Sequence, residues 1–125
     1  MSTASKSQAD ISTLDRQLNE AILRGDILNA FDKFYAADVT MQENDSEPFV
    51  GKEVNRRREE EFVNKVEQFH GAKLLGEAVN GDVTFSEWAY DVTFKGGPRT
   101  KLQQVAVRRW KNGQVASERF YYKGA

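Results

Sequence analysis

The amino-acid sequence predicts an α+β domain in which three N-terminal helices pack on a curved antiparallel sheet. Two patterns in the chain lead to this fold class. Apolar residues recur at three-and-four spacing over the first half, and from Ala72 onward they recur with a period of two. Three turn sequences, Asn80-Gly81, Gly96-Gly97-Pro98 and Asn112-Gly113, then divide the second half into strands.

Two helices come first. Asp10 is placed to cap the first helix, and Gly25 is placed to end it in a left-handed conformation. Asp26 is then placed to cap the second helix. The apolar face of the first consists of Ile11, Leu14, Leu18, Ala21 and Ile22, and that of the second of Ile27, Leu28, Phe31, Phe34 and Tyr35.

A short β-favouring segment at 39–43 and a polar loop lead to the third helix, which Gly51 opens and which is predicted over residues 52–66. Its apolar side consists of Val54, Phe62, Val63 and Val66. Residues 56–61 are three arginines followed by three glutamates, a run typical of a solvated helix face. Two pairs in it are spaced to form ion pairs worth about 0.2–0.5 kcal/mol each: Arg56 with Glu60 and Arg57 with Glu61.

Four strands follow, near residues 72–79, 82–95, 100–111 and 114–122. Consecutive hairpins join them into an antiparallel meander. The segment 82–95 is too long for a flat strand. It is therefore expected to bend at a bulge and to curl the sheet around the helices.

The last hairpin has two alternative registers, which bring together different faces of its strands. A two-residue loop, Asn112-Gly113, pairs Arg108 with Ser117. A three-residue loop that begins at Lys111, with Gly113 left-handed, pairs Arg108 with Ala116. The three-residue loop is favoured because it separates side chains by character. One surface then carries Gln104, Arg108, Trp110, Glu118, Phe120 and Tyr122, and the other carries Val105, Val107, Val115 and Tyr121.

The surface that mixes polar groups with aromatic rings is expected to face the helices and to line a ligand pocket. Its predicted wall residues are Tyr35, Phe62, Trp88, Tyr90, Gln104, Phe120 and Tyr122. Ordinary core packing is the alternative for the aromatic side chains. Arg108 and Glu118 are expected to lie diagonally across a strand pair, as catalytic residues or as a structural salt bridge.

Composition excludes several classes of function. The 125 residues include 18 Lys and Arg against 19 Asp and Glu, a balance that gives no electrostatic case for binding nucleic acid or an anionic membrane. Cysteine is absent, which excludes disulfides and thiol catalysis. Because His70 is the single histidine, a multi-histidine metal site is excluded within one chain, and no cofactor is expected.

The N-terminal residues predict a tail rather than a targeting segment. Residues 1–9 are small and polar and lack the apolar core of a signal peptide, and no segment has the length of a membrane span. We therefore expect a flexible tail over 1–9, one domain over 10–125, and a cytoplasmic location.

Several motifs occur in a characteristic order: Gly25-Asp26, Phe34-Tyr35-Ala36-Ala37-Asp38-Val39-Thr40, Gly51-Lys52-Glu53-Val54, and the segments 109–115 and 118–122. Over residues 10–122 this order resembles the SnoaL-like group of the nuclear transport factor 2 (NTF2-like) superfamily, which is related to ketosteroid isomerases and polyketide cyclases. The resemblance implies a cone-shaped NTF2-like (cystatin-like) fold, a pocket between the helices and the concave sheet face, and frequent homodimers. It also supports the three-residue turn.

The resemblance further implies site residues. In ketosteroid isomerases the catalytic base follows the first short strand, and the matching position here is Glu43. Their two oxyanion donors correspond to Leu18 and Ala106, whose side chains cannot donate a hydrogen bond. The isomerase mechanism is therefore not carried over. Glu43 is a candidate general base, with a partner for a pocket cation as the alternative.

Together these features predict a pocket protein for a small, mostly apolar organic molecule with one polar end. One hypothesis is a cofactor-independent isomerase or cyclase that uses Glu43, Arg108 and Glu118 in acid–base chemistry. The other is a non-catalytic ligand-binding or assembly module of the same fold.

The opposite, convex sheet face is predicted to join two copies of the chain. It is expected to carry one apolar patch formed by Val83, Phe85, Ala89, Val105, Val107 and Tyr121. Such patches are uncommon on monomers, and no element of the chain remains to cover this one. A homodimer about a two-fold axis is therefore expected, with Arg109 and Arg119 at the interface or on its rim.

Overall fold

The structure of the protein, a computed structural model, describes residues 8–123. Its elements in chain order are α1 (Gln8–Leu23), α2 (Ile27–Phe34), β1 (Tyr35–Glu43), β2 (Phe49–Val50), α3 (Lys52–Lys65), β3 (Val66–Asn80), β4 (Val83–Phe94), β5 (Arg99–Lys111) and β6 (Gln114–Tyr122). The strands of the described chain form one open sheet in the order β2-β1-β6-β5-β4-β3. The helices pack against its concave face.

The ends of the first two helices differ in part from the prediction. Residues 1–7 of the predicted tail lie outside the described residues, but Gln8 and Ala9 already belong to α1. Asp10 is therefore in the first turn of α1 and is not its cap. Gly25 follows α1 with a φ of 80°, which is the left-handed conformation predicted for the residue that ends this helix. Asp26 is the N-cap residue of α2, although its carboxylate accepts a hydrogen bond from the Asn29 side chain instead of a backbone N–H.

The sheet is mixed rather than wholly antiparallel, because β1 pairs parallel with β6. The short segment predicted at 39–43 is a strand that starts four residues earlier, at Tyr35, directly where α2 ends. The two-residue β2 pairs antiparallel with β1 and was not predicted. The first and last long strands of the domain are thus neighbours in the middle of the sheet.

Three bulges lie in β3 and none lies in β4, so the predicted bulge in segment 82–95 was wrong. The 15 residues of β3 pair with the 12 residues of β4, and three register shifts absorb the difference. They follow Val66, Phe69 and Leu74. No shift interrupts the pairing of β4 with β5. Each bulge adds a residue to one strand and so bends it relative to its neighbour.

The last hairpin has neither predicted register. Asn112 and Gly113 both have positive φ, of 55° and 77°, and form a two-residue loop that pairs Lys111 with Gln114. A register shift between Arg109 and Trp110 then leaves Ala116 as an extra residue, so Arg108 pairs directly with Glu118.

The residues of β6 that follow this bulge lie on the predicted faces of the sheet. Val115, which precedes the bulge, lies on the opposite face from the one predicted. Glu118, Phe120 and Tyr122 share the concave face with Arg108, as predicted. Val115, however, pairs with Trp110 and is fully buried in the hydrophobic core, so its predicted place on the convex face was wrong.

The hydrophobic core lies between α1, α2 and the concave face of the sheet. Its buried members are Ile11, Leu18, Ala21, Ala30, Phe31, Phe34, Tyr35, Val39, Met41, Trp110 and Val115. Next to this core, part of the space between the helices and the sheet is a cavity. Among the described residues, no helix has both the length and the hydropathy of a membrane-spanning segment.

Candidate functional site

A cavity of about 880 Å³ lies between the concave face of the sheet and the three helices. All ten residues predicted for the site line it: Tyr35, Glu43, Phe62, Trp88, Tyr90, Gln104, Arg108, Glu118, Phe120 and Tyr122. The side chains of Leu18 and Ala106 line it as well, at the positions where ketosteroid isomerases have their oxyanion donors. The sequence therefore identified the wall of the cavity, while the role of each residue stays a prediction.

Arg108 is the centre of a buried polar network at the base of the cavity. Arg108 and Glu118 are each 2% exposed and meet directly across β5 and β6. The Nε atom of Arg108 donates a hydrogen bond of 2.7 Å to Oε2 of Glu118. The Tyr35 hydroxyl donates one of 2.6 Å to the other carboxylate oxygen. Both oxygens of Glu118 are therefore engaged.

The other side of Arg108 is held by α1, through residues that the sequence reading missed. Its Nη1 atom donates to Oδ1 of Asp15 at 2.8 Å and to Oδ1 of Asn19 at 2.6 Å. The Thr84 hydroxyl also donates to Asp15, and the Trp110 indole N–H donates to that hydroxyl. Ile11, Asp15 and Asn19 follow one another at a spacing of four, so the two polar residues share the buried stripe of α1.

Burial of Tyr35 and the charges that neighbour both residues raise the pKa values of Tyr35 and Arg108, so both side chains keep their protons. Burial alone would lower the pKa of the Arg108 guanidinium, but the neighbouring carboxylates of Glu118 and Asp15 raise it above its ordinary value. Burial, together with the charge of Glu118, raises the pKa of Tyr35. Arg108 and Glu118 thus form a buried salt bridge, and a catalytic role for the pair stays a prediction.

Glu43 also has ionic and hydrogen-bonding partners. Its carboxylate pairs with the Arg58 guanidinium and accepts a hydrogen bond from the Tyr122 hydroxyl. Arg58 stacks on the Phe49 ring, 3.8 Å from its centroid, and donates to the Asn55 side chain. This arrangement matches the alternative reading of Glu43 as the partner of a pocket cation.

Glu59 is the cavity residue that sequence analysis overlooked. It belongs to the charge run of α3, which is not a uniformly solvated face, because Arg58, Glu59, Glu61 and Phe62 line the cavity. Glu61 is exposed, and in the described part of the chain it does not form the predicted ion pair with Arg57. Arg56 does form the predicted ion pair with Glu60, at 2.9 Å, on the outer side. Among the described residues, no side chain forms an ion pair or a hydrogen bond with the Glu59 carboxylate. Glu59 is only half-buried, because one side of the residue faces the cavity.

Burial raises the pKa of the Glu59 carboxyl to about 7, and the nearby charges of Glu118 and Glu43 act in the same direction. The cations Arg58 and Arg108 oppose this effect. In the sequence, only helical spacing pointed to Glu59. Residues 55, 59 and 62 share one helix face, and Asn55 is fully buried, whereas the predicted apolar position Val54 is 38% exposed.

Aromatic rings form most of the remaining wall. Trp88 stacks on Tyr90 with ring centroids 5.5 Å apart, and its indole N–H donates to the Ser86 hydroxyl. Burial raises the pKa of Tyr90, although Arg108 opposes the effect. The aromatic residues that line the cavity are Phe31, Tyr35, Phe62, Phe69, Trp88, Tyr90, Phe120 and Tyr122.

The cavity offers no metal site within the described residues, where no three His, Cys, Asp or Glu side chains group to hold an ion. His70 lies inside β3 instead of before it, at one of the bulges. Its Nε2 atom is 2.7 Å from the Thr93 hydroxyl, and the residue does not line the cavity.

A sequence profile of the SnoaL-like domain matches residues 10–122, which is most of the chain. The chain belongs to the SnoaL-like family. Among solved structures, this SnoaL-like domain is similar to a proposed SnoaL-like polyketide cyclase of Mesorhizobium loti, at 30% identity and a TM-score of 0.77, over 90% of this chain and 98% of that one. The predicted family is thereby confirmed.

Two further solved structures have the same fold. An NTF2-like protein of unknown function from Burkholderia pseudomallei is 17% identical, with a TM-score of 0.78 over 91% of each chain. A protein with a ketosteroid isomerase-like fold from Catenulispora acidiphila, in complex with trimethylamine, is 21% identical, with a TM-score of 0.70 over 82% of this chain and 80% of that one. A comparison with curated proteins gives no match. The predicted NTF2-like fold class is confirmed.

Replacement of Glu118 by leucine is expected to destabilise the SnoaL-like domain by about 3–5 kcal/mol. The substitution leaves the Arg108 guanidinium and the Tyr35 hydroxyl buried without their partner. Arg119→Leu changes the neighbouring residue on the convex face and is expected to cost less than about 1 kcal/mol. Urea unfolding measures both variants, and similar losses would contradict the assignment of the two faces.

Glu59→Gln is expected to stabilise the domain at pH 8 by roughly 1–3 kcal/mol and to lose this effect as the pH falls toward 4.5. The folded state holds the Glu59 proton up to about pH 7, whereas the unfolded chain releases it near 4.5. Between these values a rising pH therefore favours unfolding of the wild type. Denaturant unfolding at several pH values tests this, with Glu53→Gln in the first turn of α3 as the control. A pH-independent difference would contradict it.

Proposed function

We propose that this SnoaL-like domain is a cofactor-independent acid–base enzyme of the isomerase or cyclase type, with Glu59 as its general base. Its substrate is a small, mostly apolar organic molecule that carries a carbonyl group at one end. The observation that supports this proposal is the position of Glu59, a carboxyl in the wall of an aromatic cavity without an ionic partner among the described residues. A carboxylate of this kind is available to take a proton from carbon.

The other two carboxylates of the predicted site are less suited to that role. Glu118 has both oxygens engaged, by Arg108 and Tyr35. Glu43 is bound by Arg58 and Tyr122. A general base works best when its pKa is near the working pH, and the pKa of Glu59, at about 7, meets this condition.

The developing negative charge on the substrate oxygen requires hydrogen-bond donors. Leu18 and Ala106 cannot supply them, so we assign the role to Tyr90 and Gln104. Both side chains line the cavity from neighbouring strands, β4 and β5. A tyrosine hydroxyl is protonated near neutral pH even at its ordinary pKa, and burial raises the pKa of Tyr90 further, so this hydroxyl can donate. Glu59 then returns the proton at a second carbon or at oxygen, and neither step uses a metal.

Proton abstraction can be tested before the natural substrate is known. The protein is incubated in D2O with a panel of bicyclic enolisable ketones such as 2-tetralone, and exchange of the α-proton is followed by NMR. We expect catalysed exchange that rises as the pH passes through 7, because the base acts in its charged form. Glu59→Gln is expected to reduce the rate by about 10²–10⁴-fold.

Three variants make this experiment specific. Glu53→Gln, on the outer part of the same helix, should leave the exchange rate unchanged. Tyr90→Phe should slow exchange without abolishing ligand binding. If Glu43→Gln abolishes exchange and Glu59→Gln does not, then Glu43 is the base and the assignment made here is wrong. Binding of the ketones without exchange in the wild type would exclude the enzymatic proposal.

A second candidate function is the non-catalytic binding of an organic cation. Eight aromatic residues line the cavity around the unpaired Glu59 carboxylate, and such surroundings favour a quaternary or protonated amine. Choline and its neutral carbon analogue 3,3-dimethylbutan-1-ol separate the candidates. The cation binder is favoured if choline binds at least about tenfold tighter than the alcohol and if Glu59→Gln abolishes this difference. The reason is that a bound cation would form an ion pair with the Glu59 carboxylate.

We also propose that the domain is a cytoplasmic homodimer, joined through the convex face. Two large apolar side chains of the predicted patch support this proposal, since Phe85 is 37% and Tyr121 44% exposed. Phe85 pairs with Val107, and Val105 with Tyr121, so the patch is continuous across β4, β5 and β6. No described helix packs on this face, and a second copy presents the same apolar surface in return.

Val107→Asp is expected to weaken the dimer, since each subunit would then bury an unpaired carboxylate in the interface. Sedimentation at micromolar concentrations gives the mass of the wild type and the variant. Thr100→Asp, at the opposite end of the same strand, is the control. A wild-type monomer of about 14 kDa would refute the interface.

A further inference from the structure

We propose that Glu43 is a positioning residue: it holds the Arg58 guanidinium and so keeps this cation from forming an ion pair with the Glu59 carboxylate. Arg58 and Glu59 are consecutive in α3, and both line the cavity. An unpaired carboxylate beside an arginine in a half-buried wall requires an explanation, because opposite charges attract strongly outside bulk water. The inference rests on the proposed function, in which Glu59 is the base.

The Arg58 guanidinium is held on three sides by groups other than Glu59. One Nη atom binds the Glu43 carboxylate. The other donates a hydrogen bond of 3.2 Å to Oδ1 of Asn55, which lies one turn earlier in α3. The central carbon of the guanidinium lies over the Phe49 ring, 3.8 Å from its centroid. A guanidinium fixed in this way has little freedom to turn toward the neighbouring side chain.

Glu43 reaches Arg58 from the end of a strand that is itself fixed. It is the last residue of β1, which pairs parallel with β6, so both strands end on the same side of the sheet. Glu43 pairs with Phe120 there, and the Tyr122 hydroxyl donates to the carboxylate oxygen that Arg58 does not bind. The carboxylate at the position of the ketosteroid isomerase base thus has two partners of its own.

The geometry of α3 favours this separation. Successive residues of an α-helix point about 100° apart, so consecutive side chains do not face each other. Arg58 therefore has to bend back along the helix to reach Glu59, and the Glu43 carboxylate opposes this movement by binding the guanidinium. Loss of the Glu43 charge removes the strongest contact that holds Arg58 away from the cavity.

The other charged groups that face Glu59 do not take the place of Arg58. Arg108 is the second cation that acts on Glu59, and its guanidinium is bound by Glu118 and Asp15. The two arginines near Glu59 thus each have a carboxylate as partner, and Glu59 is left unpaired. The remaining titratable side chains of the cavity wall are three tyrosines, which are neutral at pH 7, and the exposed groups Glu61, Lys65, Lys101 and Lys123. The tyrosines are Tyr35, Tyr90 and Tyr122.

The test is the titration of Glu59, followed by NMR of protein that contains ¹³C-labelled glutamate and assigned with Glu59→Gln. In the wild type we expect a midpoint at the pKa of about 7. Glu43→Gln keeps the shape of the side chain and removes its charge, and we expect the midpoint to fall below about 6, because Arg58 is then free to pair with Glu59. Asp32→Asn is the control, since it breaks the ion pair with Arg56 on the outer side of α3 and should leave the midpoint unchanged.

A double-mutant cycle separates an action through Arg58 from the direct effect of the Glu43 charge. In the Arg58→Gln background, Glu43→Gln should move the midpoint by less than about half as much as in the wild type. Equal shifts in the two backgrounds would overturn the proposal, because Glu43 would then act by its own charge alone. Phe49→Leu, an uncharged change that loosens Arg58, should also lower the midpoint, and it carries the test if Glu43→Gln does not fold.

Exchange of the ketone α-proton connects this test with the proposed function. Glu43→Gln should move the midpoint of the pH–rate profile down together with the Glu59 titration, and should reduce the limiting rate roughly tenfold, because a weaker base abstracts a proton more slowly. The expected midpoints without any exchange in the wild type would refute the enzyme and support the role of Glu43. Exchange in the wild type with an unchanged midpoint in Glu43→Gln would refute the role of Glu43 and support the enzyme.

Discussion

The buried guanidinium of Arg108 is the interaction on which most of this structure depends. It binds Glu118 on the neighbouring strand and Asp15 and Asn19 on α1, and so joins the sheet to the helix that covers it. One cation with two buried carboxylates is favourable only with complete hydrogen bonding. That condition is met: no buried side-chain nitrogen or oxygen of the described residues lacks a partner.

The network engages the carboxylates of Glu118 and Asp15 in ion pairs with Arg108. The proposed chemistry is therefore assigned to a carboxylate outside these pairs. Glu59 sits above the network on α3 and experiences the negative charge of Glu118 without sharing the hydrogen bonds of Arg108. A single missing ion pair thus distinguishes Glu59 from Glu43 and Glu118, which are equally acidic as isolated side chains.

The fold and the cavity wall could be predicted because they follow from local patterns. The period-two alternation of β4, β5 and β6 decides which side chains share a face, and Trp88, Tyr90 and Gln104 were placed correctly on that basis. Bulges have no comparable signal. The extra residue at Ala116 depends on how β6 fits both β1 and β5, which is a tertiary constraint, so Val115 was assigned to the wrong face.

The functional part of the site was harder to predict for a similar reason. A carboxylate becomes a candidate base through its burial and through the partners it lacks, and neither is visible in a run of three arginines and three glutamates. Which of these six residues face inward depends on the rotation of α3 about its axis. Asn55 anchors the inward face of α3, because its side chain donates hydrogen bonds to the backbone carbonyls of Val39 and Phe49 outside the helix.

The parallel pairing of β1 with β6 has a consequence for the order in which the chain acquires its structure. The strand at Tyr35–Glu43 has its long neighbour only when residues 114–122 are available, and the Tyr35 hydroxyl meets Glu118 across 83 positions of sequence. On a ribosome the three helices would emerge well before the strand that completes the sheet. During that interval β1 presents an unpaired edge beside a half-formed apolar core, the kind of surface to which chaperones bind and from which misassembly begins.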